Sequence, residues 1–101
     1  MEKKEYCLSF IETIKEKNKD ELFRFFTKKS VIVFLKDFKE IDVPSFINYL
    51  EENYFGKEII IKRVLESKVC IKIETCIENE NLSFLIEVKE RRIRRLELFI
   101  E

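Results

Sequence analysis

The residues whose chemistry depends most on spacing are three cysteines, Cys7, Cys70 and Cys76. A zinc or haem site usually needs histidine or a Cys-x-x-Cys pair, and the chain contains neither. Cys70 and Cys76 fall in one predicted strand, about 20 Å apart at ~3.3 Å per residue, whereas a disulfide needs Cα atoms within ~7 Å. We therefore expect reduced, buried or half-buried thiols, with no metal site and no cofactor.

The densest charge cluster is Arg91-Arg92-Ile93-Arg94-Arg95. Such arginines can contact nucleic-acid phosphates, but these straddle a predicted turn and have no interleaved aromatic residues to stack on bases. Basic and acidic residues number 20 each, so the net charge is zero, whereas nucleic-acid and membrane-surface binders usually carry a basic excess. We expect no nucleic-acid and no membrane partner, arginines paired across strands with Glu87 and Glu97, and ordinary helix-surface charge at Lys28-Lys29.

Length and apolar patterning indicate the class of protein. A chain of 101 residues is long enough for one hydrophobic core and too short for two, so we expect a single domain over residues 1–101. The first residues run into an amphipathic pattern without an apolar secretory core, and no apolar run approaches the ~20 residues of a membrane span. These features predict a cytoplasmic protein.

Two helices are predicted before the first strand. Apolar residues at three- and four-residue spacing predict a helix over residues 3–17 that ends near Asn18. Asp20 is the expected cap of a short second helix, whose apolar residues run from Leu22 to Phe26.

A strand and a third helix follow. The β-branched run over residues 31–35 predicts a covered strand. Pro44 suits the first turn of a helix, and the chain's one glycine, Gly56, suits the position after its end. The third helix is therefore expected over about residues 44–55.

From residue 57 onward the period changes to two, and four strands are predicted. Polar breaks over residues 66–68, 78–81 and 90–92 separate them. The alternation places every second residue toward the core. The expected core-facing residues are Val69, Ile71, Ile73, Thr75, Ile77, Leu82, Phe84, Ile86, Val88, Leu96, Leu98 and Ile100.

This order of elements resembles the nuclear transport factor 2-like (NTF2-like, SnoaL-like, cystatin-like cone) superfamily across nearly the whole chain. Residues 10–22 look like its first helix, polar break and second helix, residues 44–50 like its third helix, and residues 92–99 like its last strand. The resemblance implies an α+β fold in order ααβαββββ, with three N-terminal helices packed against a strongly bent, mostly antiparallel sheet that forms a cone.

The resemblance also implies a homodimer that pairs through the outer face of the sheet. Opposite charges on neighbouring strands could make that face self-complementary. The expected interface residues are Lys72, Glu74, Leu85, Glu87, Arg95, Glu97 and Phe99.

The inside of such a cone would hold a pocket for a small hydrophobic ligand. Its expected lining is Phe34, Tyr49, Arg63, Ile73, Thr75, Phe84 and Leu98. Two alternatives remain open: the many phenylalanines fill the cone, and Arg63 turns outward at a bulge or pairs with Glu74 or Glu97.

Enzymes of this superfamily such as ketosteroid isomerases use a first-helix tyrosine and a carboxylate near the first strand. The corresponding positions fall near Thr13 or Phe10 and near Phe34, which cannot move a proton, although Tyr6 and Asp37 could form a displaced pair. We therefore expect a non-catalytic NTF2-like homodimer with a pocket for a small apolar ligand. The alternatives are an isomerase, cyclase or dehydratase with a displaced acid–base pair, or a protein-interaction module using the outer sheet face.

Overall fold

The computed structural model describes residues 2–101, which form three helices and one six-stranded sheet. In chain order the elements are α1 Lys3–Lys15, α2 Lys19–Phe23, β1 Phe26–Phe34, β2 Lys39–Ile41, α3 Val43–Tyr54, β3 Ile59–Glu66, β4 Ile71–Ile77, β5 Glu80–Lys89 and β6 Arg92–Ile100. The expected α+β class and its four C-terminal strands are confirmed. The short strand β2 was not predicted, and it forms an antiparallel hairpin with β1.

The sheet runs in the order β2-β1-β6-β5-β4-β3, with β1 and β6 parallel and the other neighbours antiparallel. The register shifts within β3, near the start of β1, and between β5 and β6, where Arg94 is an extra residue of β6 opposite Glu87 and Val88. Extra residues of this kind bend a strand and increase its twist, so they curl the sheet around the helices.

Local side-chain hydrogen bonds explain the helix boundaries. The side chain of Asn18 accepts a hydrogen bond from the backbone of Glu21, so Asn18 caps α2 and the expectation for Asp20 was wrong. In α3, Asp42 accepts from the backbone of Ser45. Gly56 has φ +82°, the left-handed conformation expected just beyond a helix end.

The predicted second helix extended too far, because Phe26 begins β1. Tertiary packing explains the difference. The ring of Phe10 on α1 meets Phe25 at 5.5 Å and Phe26 at 5.8 Å between centroids, both edge to face. The Phe25 ring therefore enters the core from the turn after α2, and the Phe26 ring enters it from the first residue of β1.

The core lies between the helices and the inner face of the sheet, and its largest fully buried side chains include Phe10, Phe46 and Phe84. The predicted inward alternation holds through β4, β5 and β6. Val69 is the exception at 68 % exposure, because Ser67 accepts backbone hydrogen bonds from Val69 and Cys70 and forms a turn before β4 starts. The three cysteines are free thiols, and Cys70 lies in that turn rather than in β4.

Among residues 2–101, no helix combines the length and the apolar character needed to span a membrane.

Candidate functional site

Packed side chains occupy the inside of the cone. Ile73, Phe84 and Leu98 are register partners on three adjacent strands, and all three are buried. The ring of Phe84 meets Phe10 of α1 edge to face at 6.2 Å. Thr75 is also buried in this layer, so four residues of the expected pocket lie together. They form part of the packed core with the helices instead of lining an open space.

The polar groups in this layer are satisfied within the chain. The hydroxyl of Thr75 donates to the carbonyl of Leu82 at 2.9 Å, and the hydroxyl of Thr13 donates to the carbonyl of Ser9 at 2.8 Å. Throughout residues 2–101, each buried side-chain nitrogen or oxygen has a hydrogen-bond partner. A ligand entering this layer would therefore have to break existing packing or hydrogen bonds.

Half-buried aromatic residues from β1 and α3 pack against the edge of the core. Phe34 and Tyr49 are half-buried, with ring centroids 4.9 Å apart. The hydroxyl of Tyr49 lies 3.2 Å from that of Tyr54, which donates to a carboxylate oxygen of Glu80 at 2.9 Å. Burial is the main cause that raises the pKa of Tyr54, and these two hydrogen-bond partners raise it further. The Tyr54 hydroxyl therefore stays protonated and donates to Glu80 rather than acting as a base.

The Tyr54–Glu80 contact was not anticipated from the sequence. Tyr54 follows the apolar spacing of α3, whereas Glu80 falls in a predicted polar break. A tyrosine at the end of an apolar helix face is the signal that could have suggested it, because a buried tyrosine hydroxyl usually finds a partner.

Arg63 lies on the outer face of the sheet and not in the expected pocket. A register shift in β3 between Ile61 and Arg63 turns its side chain outward. There it donates to Glu74 through Nε at 2.6 Å and Nη2 at 3.2 Å. The arginine lowers the pKa of the Glu74 carboxyl, and the pairing avoids the large cost of an unpaired charge in the core.

Tyr6 and Asp37 are too far apart to act as an acid–base pair. Tyr6 packs against Phe25 at 5.0 Å, just before β1, whereas Asp37 follows the far end of that strand. A strand of this length, even with its irregularity, separates the two groups by on the order of 20 Å. Proton transfer requires hydrogen-bond contact or one bridging water.

The seven residues expected at a dimer interface do share the outer sheet face, on β4, β5 and β6. Phe99 is 40 % exposed, and Leu85 on the neighbouring strand is half-buried. Arg95 pairs with Glu97 on its own strand at 3.0 Å. Glu87 lies opposite Arg95 in the register but makes no ion pair within residues 2–101.

Cys7 is fully buried in α1, and burial raises the pKa of its thiol to about 12. A thiol with a pKa this high is protonated at neutral pH and is a poor nucleophile or metal ligand. Within residues 2–101, no three metal-binding side chains converge on one point.

No protein-family model matches the sequence, and no curated protein matches it significantly. Solved structures match its shape closely at low sequence identity. An NTF2-like protein of unknown function from Cytophaga hutchinsonii is 12 % identical with a TM-score of 0.74, over 95 % of this chain and 87 % of that one. The chain has the NTF2-like fold.

Other solved structures with this fold carry names from different activities. A protein from Shewanella putrefaciens assigned as a SnoaL-like polyketide cyclase is 10 % identical, with a TM-score of 0.78 over 99 % of this chain and 80 % of that one. An LEH-like epoxide hydrolase from M. tuberculosis is 14 % identical, with a TM-score of 0.72 over 97 % and 81 %. Identities this low establish the fold alone, and one fold supports unrelated activities.

Proposed function

We propose that this chain is a non-catalytic NTF2-like domain that works as a homodimer, joined through the outer face of its sheet. The observation that carries the proposal is the combination, on that face, of exposed or half-buried apolar residues with two internal ion pairs. Leu65, Leu85 and Phe99 lie on β3, β5 and β6 beside the Arg63–Glu74 and Arg95–Glu97 pairs.

Paired charges matter because burying an unpaired charge is costly. The Glu74 carboxylate forms ion pairs with both Arg63 and Lys72, so its charge is already balanced before a dimer contact forms. A copy related by a two-fold axis could then cover the apolar residues without isolating the charges of these pairs, whereas Glu87, which makes no ion pair within residues 2–101, would need a cation from the copy. A dimer of standard size needs ~800 Å² from each partner, about an eighth of the chain's 6485 Å² surface.

The packing of the interior supports a non-catalytic role. Positions on α1 that could hold a proton-transfer group carry Phe10, which is buried in aromatic packing, and Thr13, whose hydroxyl is bonded to the backbone. Catalysis by differential binding of a transition state needs room for a substrate beside reactive groups. In this chain, the interior beside α1 is filled by packed side chains.

Sedimentation velocity at micromolar concentration tests the dimer, with an expected species of twice the 12.4 kDa chain mass. Leu85→Lys and Phe99→Lys should each yield a monomer, because a lysine would be desolvated in the contact. Phe38→Lys is the matched control, since Phe38 is 83 % exposed in the β1–β2 turn, away from this face. A monomeric wild type would reject the proposal and favour a surface used by a different protein.

A small apolar ligand at the edge of the core is a second candidate function, supported by the half-buried rings of Phe34 and Tyr49. The ligand would contact these rings and the Tyr49 hydroxyl, because the residues below them are tightly packed. Native mass spectrometry of freshly purified protein should then show a discrete added mass that Phe34→Ala weakens. Protein without an adduct, and without thermal stabilisation by hydrophobic compounds, would remove this candidate.

A further inference from the structure

A second surface, which we call the basic end, lies where the β5–β6 turn meets α1 and the start of β1. Its cations are all exposed, and none takes part in an ion pair within residues 2–101, whereas Arg63, Lys72 and Arg95 on the outer face do. The basic end consists of Lys3, Lys28, Lys29, Lys89, Arg91, Arg92 and Arg94.

An irregular stretch of β1 places two of these lysines beside β6. Phe26 pairs with Ile93 and Val31 pairs with Arg95, so residues 27–30 of β1 lie opposite the single residue Arg94. This bulge pushes the intervening side chains out of the regular alternation. Lys28 and Lys29 therefore stand next to Arg94 although they are more than sixty residues away in sequence.

Hydrogen bonds from side chains hold this stretch in place. The Ser30 hydroxyl donates to the carbonyl of Ile93 at 2.6 Å and accepts from the backbone of Thr27 at 2.9 Å. The hydroxyl of Thr27 in turn accepts from the backbone of Lys29 at 3.1 Å. The two lysines are consequently presented on a fixed backbone, which reduces the entropy lost when they bind.

Two neighbouring depressions give the basic end a concave shape. One, of about 650 Å³, is lined by Lys3, Tyr6 and Val88 together with the turn residues. The other, of about 560 Å³, is lined by residues 27–29 and 92–94. Lys89, Glu90 and Arg92 border both, and Glu90 is the one carboxylate in either lining.

We propose that the basic end binds single-stranded nucleic acid, with successive phosphates along its lysines and arginines and a base against Tyr6. Cations spread over two joined depressions match a polymer with one negative charge per nucleotide better than they match one isolated phosphate. Tyr6 supplies the aromatic surface that sequence-tolerant binding of single strands uses. A bilayer is flat on this scale and would not reach into either depression.

The zero net charge of the chain shapes the expected affinity. Attraction by the basic end is local and is screened beyond ~10 Å at 0.1 M salt, so binding should be modest and strongly salt-dependent. If about five phosphates are contacted, log K against log salt has a slope of about −3.5 for a single strand. The affinity should then fall roughly 100-fold between 50 and 200 mM salt.

Fluorescence anisotropy with a labelled single-stranded oligouridylate measures this directly. The quadruple variant Lys28→Ala, Lys29→Ala, Arg92→Ala and Arg94→Ala should lose at least tenfold in affinity, and its salt slope should become shallower by about 0.7 for each contact removed. All four side chains are exposed, so the variant should keep its thermal midpoint.

The matched control removes four exposed cations elsewhere, which also make no ion pair within residues 2–101: Lys36, Lys39, Lys62 and Lys68. It changes the net charge equally and should retain the wild-type slope, with affinity within about threefold because the long-range field is screened. An equal loss in both variants would overturn the proposal, since it would mean non-specific charge attraction.

Substitution of Tyr6 and a lipid control complete the test. Tyr6→Leu should weaken binding roughly 5- to 150-fold, the effect of losing one base–aromatic stack, whereas Tyr6→Phe should leave the affinity nearly unchanged. Lack of oligonucleotide binding by the wild type at 50 mM salt would refute the proposal even if a variant failed to fold. Binding to phosphatidylserine vesicles without binding to the oligonucleotide would also refute it.

Discussion

Replacing Phe10 with alanine tests most directly whether the cone is filled. The ring is fully buried and contacts Phe25, Phe26 and Phe84 edge to face. Buried Phe→Ala substitutions cost ~3–5 kcal/mol, and the three aromatic contacts favour the upper half of this range. At about 4 kcal/mol, a domain of this size should lose roughly 16–32 °C in melting temperature.

Urea denaturation monitored by circular dichroism gives the free energy of unfolding for the comparison. Phe38→Ala is the control, because that ring is 83 % exposed and its removal should change stability by no more than ~0.5 kcal/mol. A loss below ~1.5 kcal/mol for Phe10→Ala would show that the ring is not packed as described and that the interior has free space.

The same variant provides a ligand assay. Removing the ring leaves an apolar cavity, and engineered cavities of ~150 Å³ bind benzene-sized molecules. Benzene should therefore raise the melting temperature of Phe10→Ala and leave that of the wild type unchanged. Equal stabilisation of both proteins would mean that the wild-type cone already contains a site, which would favour the ligand-binding candidate.

Two other predictions concern stability. Burial raises the pKa of Cys7 to about 12, so the thiol of the unfolded chain loses its proton at a lower pH than that of the folded chain. The contribution of Cys7 to the free energy of unfolding is therefore fully present below pH ~8.5. Above that pH it falls by up to ~1.4 kcal/mol per pH unit. Urea denaturation at pH 7 and at pH 10 should show that the free energy of unfolding falls less between the two pH values for Cys7→Ala than for the wild type. An equal fall in both proteins would contradict the raised pKa of Cys7. Phe38 has φ +51°, which asparagine tolerates better, so Phe38→Asn should stabilise the protein by up to ~1 kcal/mol in the same assay.

The sequence predicted the elements that are set by local spacing. The apolar period of α1 and the pairing of Pro44 with Gly56 around α3 fixed two helices within two residues of their observed ends. Strict alternation identified β4, β5 and β6, because one face of each is fully buried and a shift by one residue would expose it. These signals depend only on neighbours along the chain.

Elements set by tertiary contacts were missed. Strand β2 spans Lys39–Ile41, which carry little apolar patterning, and it exists because Ile41 pairs with Ile32 across the hairpin. The inward turn of Phe25 and Phe26 depends on the position of Phe10, which no local pattern contains. The outward turn of Arg63 depends on a bulge, and its partner Glu74 is one of the two carboxylates that the sequence offers it.

The basic end shows why a whole-chain charge balance is a weak guide to partners. The sum of charges is zero, but Glu74 and Glu97 on the outer face are paired with neighbouring cations, whereas Lys28, Lys29 and Arg94 make no ion pair within residues 2–101. Only the parallel pairing of β1 with β6, and the bulge fixed by Ser30, brings the two lysines to the arginine-rich turn. An interaction that decays within ~10 Å responds to this local arrangement and not to the total, so surface segregation of charge decides whether an anionic polymer is held.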